Sequence, residues 1–90
     1  MDHGEFSEIF NRRVKVDKEY AQVLLEVSST MTYDDAIRVI EQAAVRVVQS
    51  EYLAPAWVLF KLDAADTRMV VLKLIENGFS KVKGINAEFS

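Results

Sequence analysis

The chain has 90 residues, of which half are hydrophobic, with three glycines and one proline. A chain of this size buries only about 60% of the surface of its unfolded form, so one compact domain of modest stability is expected. We expect residues 1–16 to form an N-terminal arm and residues 17–90 the core. The net charge of −3 lacks the basic footprint of a general nucleic-acid binder, so nucleic acid is not an expected partner.

Residue types that carry metal and redox chemistry are scarce. The chain has no cysteine, and His3 is its one histidine, so neither disulfides nor a zinc-type ligand set can form. The acidic start lacks the basic end and apolar run of a secretory signal, and no apolar stretch approaches the roughly 20 residues of a membrane span. We therefore expect a cytoplasmic protein without a membrane segment, metal or cofactor.

Residues 20–28 are predicted to form the first strand. Apolar positions alternate here, with Val23, Leu25 and Val27 on one side, which favours a strand with one well-buried face. A helix that starts at Asp17 is the alternative, because several of these apolar residues also fit helical spacing.

The segment 28–52 predicts the clearest helix. Thr32 followed three residues later by Asp35 resembles a capping box in which Asp replaces the usual Glu or Gln. Val45 projects from the polar side of this helix, and Pro55 ends it or follows its end. The predicted buried stripe recurs at about 100° per residue and consists of Ile37, Ile40, Ala44, Val47 and Val48.

A short apolar run after Pro55 predicts a second strand over residues 56–62. Its alternation places Val58, Phe60 and Leu62 on one face. The opposite face would carry Trp57, Leu59 and Lys61. Because both faces are largely apolar, this strand should be central or covered on both sides.

Residues 68–79 allow two interpretations. A helix would start at Asp63 or Asp66 and stop at Gly78, with Phe79 as the apolar residue after a left-handed cap. A hairpin through Asn77 and Gly78 is the alternative, and the β-branched residues of the segment favour it. The start, the stop and the spacing agree for the helix, which we prefer. Its wheel shows no clean polar face.

The predicted order after the arm is strand, helix, strand, helix, strand, in which Gly84 indicates a bulge or close backbone approach in the last strand. The fold class is α/β (α+β), with a small three- to four-stranded sheet, parallel strands in right-handed crossovers and two helices on one face. This layout resembles a ferredoxin-like domain in its topology. A mostly α-helical bundle is the alternative.

The other face of the sheet would expose three apolar residues, namely Leu24, Trp57 and Leu59. Either a partner subunit covers them or the arm does, through Phe6, Ile9 and Phe10.

The functional expectation follows from an apolar surplus, because residues 68–79 carry more apolar side chains than a small sheet can cover. We expect a homo-oligomer, most simply a dimer, or a protein partner. The predicted interface residues are Trp57, Leu59, Met69, Val70 and Leu74.

A ligand groove, if present, is predicted near Tyr33, Trp57 and Gly84. No catalytic residues are predicted. The sequence therefore predicts a non-catalytic oligomerising module that binds a small ligand or a protein partner. The alternatives are an accessory subunit of a larger complex and a cofactor-independent isomerase or lyase with a site between subunits.

Overall fold

A computed structural model describes residue 8 and residues 11–88. The arm residues His3, Phe6, Ile9 and Phe10, with the predicted cover that three of them would form over the sheet, lie outside the described residues. Over residues 21–85, the secondary-structure elements are β1 (Ala21–Glu26), α1 (Tyr33–Gln42), β2 (Val47–Ala54), β3 (Trp57–Leu62), α2 (Arg68–Glu76) and β4 (Val82–Ile85).

The four strands form one antiparallel sheet in the order β2-β3-β1-β4. Together with the βαββαβ chain order, this arrangement is that of a ferredoxin-like domain. The predicted α+β layout is therefore confirmed, and the helical-bundle alternative is wrong. The expected parallel pairing is also wrong, because the β2–β3 hairpin reverses the chain before β3 lies beside β1.

Helix α1 begins at the predicted capping box. The Asp35 backbone N–H donates to the Thr32 Oγ1 at 3.1 Å, and the Thr32 backbone N–H donates to the Asp35 Oδ2 at 3.0 Å. These two bonds satisfy backbone donors that have no partner within the helix. The start of the helix was thus readable from two residues.

The end of α1 differs from the prediction, because the helix stops at Gln42 and residues Val47–Ala54 form strand β2. Ala44 has a φ of 61°, a left-handed conformation that terminates the helix without a glycine. Val45, which would have interrupted the polar side of a longer helix, instead packs against the core. Pro55 lies in the tight turn between β2 and β3.

One side of the sheet packs against helices α1 and α2. The predicted faces of β1 and β3 are confirmed, since Val23 and Val58 lie among the residues buried here. This helix-side cluster consists of Val23, Leu25, Ala36, Val39, Ile40, Val58, Phe60, Leu62, Val70, Leu74 and Phe79.

The opposite side of the sheet carries a smaller buried cluster of Leu24, Leu53 and Trp57. Val14 packs against this cluster, and the Arg13 guanidinium donates to the Leu53 carbonyl at 3.1 Å. Arg13 and Val14 therefore lie on this side of the sheet and contribute to its burial.

Helix α2 confirms the helical interpretation of residues 68–79 and its stop at Gly78, so the hairpin alternative is wrong. Gly78 has a φ of 106°. The Phe79 N–H donates to the Leu74 carbonyl at 3.0 Å and the Gly78 N–H to the Ile75 carbonyl at 3.1 Å, which is the bonding of a Schellman motif. The cap fixes the length of α2 and the point at which the chain turns toward β4.

The start of α2 lies at Arg68, later than the expected Asp63 or Asp66. Both the backbone N–H and the hydroxyl of Thr67 donate to the Asn86 side-chain oxygen, at 3.0 and 3.1 Å. These bonds tie the beginning of α2 to the end of β4, a long-range constraint that helix-start patterns do not contain.

Gly84 confirms the expectation of a close backbone approach. A Cβ at this position would lie 2.6 Å from the Thr67 Cβ and 3.0 Å from the Val71 Cγ2. The missing side chain lets α2 lie directly on β4.

Candidate functional site

The three residues predicted to line a ligand groove do not converge. Tyr33 opens α1 and stacks on Tyr52 with the ring centroids 6.0 Å apart. Trp57 lies in the cluster on the opposite side of the sheet, and Gly84 lies in β4 beneath Thr67. The three residues therefore do not line one groove. Alternation along β3 points Trp57 away from the helices, and β2, which carries the ring that stacks on Tyr33, lies at the opposite edge of the sheet from β4, which carries Gly84.

The five predicted interface residues also separate. Val70 and Leu74 are buried in the helix-side core, Trp57 is buried on the other side of the sheet, and Leu59 is half-buried beside it. Val70 and Leu74 are thus corrected from interface to core. The apolar side chains of α2 point in most directions around the helix, so the sequence did not define which side of the helix faces the sheet. Met69 alone of the five lies on the outer side of α2.

The outer side of α2 carries an apolar row of Met69, Leu72 and Ile75, which are 59%, 50% and 54% exposed. Residues three apart are neighbours on a helix surface, so the three side chains are contiguous. We call these residues the α2 row. Sequence reasoning left Leu72 and Ile75 out of the interface. A helical wheel indicates their position only when Val70 and Leu74 are known to face inward, because Leu72 lies about 160° from both and therefore faces outward.

Two charges flank the α2 row. Arg68 is the first residue of the helix and Glu76 the last, and both side chains are exposed. The helix dipole favours acidic residues at the beginning and basic residues at the end, so each charge opposes it at a cost of about 0.3–1 kcal/mol. The Asp66 carboxylate lies 3.8 Å from the Arg68 guanidinium, but exposed ion pairs of this kind contribute little to the free energy of folding. With respect to the dipole of α2, both charges are therefore unfavourably placed.

A shallow cavity of about 190 Å³ lies on the side of the sheet away from the helices. Arg13, Lys15 and Lys61 supply positive charge to its lining, and Glu51 supplies a carboxylate. The Lys61 amino group lies 3.3 Å from the Asp17 carboxylate. The opposing carboxylates reduce the attraction of this cavity for an anion.

The Asp17 carboxylate organises the turn before β1. It accepts the backbone N–H groups of Glu19 at 2.7 Å and Tyr20 at 2.9 Å. These two bonds, with a smaller contribution from Lys61, lower the pKa of Asp17 below its ordinary value. Since the perturbation comes mainly from turn formation, it indicates a structural role for Asp17.

Two further kinds of site are absent from residue 8 and residues 11–88. No group of three or more His, Cys, Asp or Glu side chains there is placed to hold a metal ion. In the same part of the chain, no helix has the length and apolar character needed to cross a membrane.

Comparison with protein-family models, with curated proteins and with solved structures finds no match for the chain. A functional assignment therefore depends on the geometry of the described residues. The most distinctive surface feature of these residues is the α2 row.

Proposed function

We propose that the chain is a non-catalytic module that acts by self-association, with the α2 row as its contact surface. The observation that carries this proposal is the contiguity of three half-exposed apolar side chains on one helix face. Single exposed apolar residues are common on protein surfaces, whereas large contiguous apolar patches mark interaction sites. The absence of cysteine fits action in the cytoplasm, which stays a prediction from the sequence.

The α2 row can supply enough energy for a weak dimer. Full burial of a large apolar side chain contributes about 1.5–3 kcal/mol, so each half-exposed side chain has about half of that left to gain. Six such side chains, three from each copy, give about 4–9 kcal/mol. Association costs at least about 4 kcal/mol in lost translational and rotational freedom. The difference between the gain and this minimum cost is at most about 5 kcal/mol, so the α2 row alone gives a dissociation constant no lower than about 0.2 mM, and further contacts would lower it.

Sedimentation equilibrium at protein concentrations from about 10 μM to about 1 mM spans the relevant range of affinities and tests this proposal. The average mass of the unaltered chain is expected to rise with concentration toward that of a dimer. Leu72→Glu should abolish the rise, because it places a carboxylate in the middle of the apolar row.

Val48→Glu is the matched control, since Val48 is also an exposed apolar residue but lies on β2. This variant should associate as the unaltered chain does. A constant monomer mass for the unaltered chain, or equal effects of the two variants, would contradict the proposal.

A further inference from the structure

The outer face of α2 is symmetric about Leu72 in a chemically specific way. Met69 and Ile75 lie three residues before and after Leu72, and Arg68 and Glu76 lie four residues before and after it. At 100° per residue, these four residues lie within about 60° of the direction of Leu72. Apolar residues are thus paired with apolar residues, and a positive charge is paired with a negative one.

We infer that the partner on this face is a second copy of the chain, docked with its α2 antiparallel across a two-fold axis at Leu72. This inference rests on the proposed function. In a two-fold interface the same patch meets itself, so residue i contacts j and j contacts i. Along the helix axis, Met69 then lies at the level of Ile75 of the partner subunit, and Arg68 lies at the level of Glu76 of the partner subunit. The two charge pairs close both ends of the apolar row.

The placement of the charges selects the antiparallel arrangement. Arg68 and Glu76 oppose the dipole of their own helix. In an antiparallel pair, Arg68 lies at the negative end of the partner helix and Glu76 at its positive end. A parallel pair would instead bring like charges together at both ends. The arrangement that joins the apolar rows therefore also relieves the unfavourable charges of the single chain.

The distances within one helix fit this arrangement. Residues 68 and 76 are eight positions apart, which is about 12 Å along the helix axis at 1.5 Å per residue. The two ion pairs would therefore lie near opposite ends of the contact, about 12 Å apart, with the apolar row between them.

Charge exchange tests the register through sedimentation equilibrium at low salt. Arg68→Glu and Glu76→Arg would each turn both ion pairs into repulsions, so each variant alone should dimerise about tenfold more weakly. The double variant should regain the unaltered affinity. An equal mixture of the two single variants should form a heterodimer, because each chain then offers the charges that the other lacks.

Glu41→Arg is the control, since Glu41 is an exposed helical carboxylate outside α2, and it should leave the affinity unchanged. Circular dichroism establishes that each variant is folded. If the unaltered chain dimerises and Leu72→Glu does not, but the exchanges have no effect, the register is refuted while the proposed function stands. If the unaltered chain stays monomeric, the proposed function and the inference both fail.

Discussion

Leucines two residues apart in α2 are expected to differ sharply in their contribution to folding. Leu74 is fully buried in the helix-side core, whereas Leu72 is half exposed on the outer face. Truncation of a buried leucine to alanine costs about 2–5 kcal/mol, the lost transfer energy plus the cavity that remains. Leu72→Ala removes side-chain atoms that are half in contact with water, so we expect a loss below about 1 kcal/mol.

Urea unfolding at low micromolar concentration, where association does not contribute, measures both variants. Trp57 is the single tryptophan and is fully buried, so its fluorescence reports unfolding of the sheet. For a domain of about 5–13 kcal/mol total stability, Leu74→Ala should lower the urea midpoint by about 1 M or more. Leu72→Ala should lower it far less. Equal shifts, or a larger shift for Leu72→Ala, would refute the assigned orientation of α2.

Three further predictions concern backbone geometry and pH. Gly84→Ala should destabilise the chain by about 1–3 kcal/mol in thermal unfolding, since the added methyl would meet Thr67, the residue that precedes α2. An unchanged melting temperature would contradict that packing. Ala44→Gly should raise the free energy of unfolding by about 0.5–1 kcal/mol, because glycine adopts the left-handed conformation of this position without strain. The neighbouring Ala43→Gly should lower the free energy of unfolding, and a decrease in both variants would show that Ala44 is unstrained. The hydrogen bonds from Thr32 lower the pKa of Asp35, so the stability that this carboxylate contributes is present above about pH 4 and is lost as the pH falls through its folded pKa. The urea midpoints at about pH 7 and about pH 2.5 should therefore differ less in Asp35→Asn than in the unaltered chain. An equal difference in the two proteins would contradict a stabilising role.

Local signals in the sequence predicted the elements that depend on local chemistry. The capping box at Thr32 and Asp35, the Gly78 cap and the alternation in β1 each involve residues close together in the chain. The residues that form each of these features therefore appear together within a short stretch of the sequence. For this reason the start of α1, the end of α2 and the two faces of β1 were predicted correctly.

The missed features depend on residues distant in the sequence. Strand β2 lacks the alternation of a strand, because its pairing with β3 is irregular at two places, and this pairing with a distant segment is what makes it a strand. Ala44 gives no glycine signal for the end of α1. The inward side of α2 is set by its contact with the sheet and α1, so Leu74 could not be separated from Leu72 by pattern alone.

The most direct measurement of the central claim is a dilution series of amide NMR spectra. If the outer face of α2 is the association surface, the concentration-dependent shifts should cluster on residues 68–76 and follow a single dissociation constant. They should vanish in Leu72→Glu. Shifts that cluster on β2 instead, or spectra that do not change up to about 1 mM, would contradict the account.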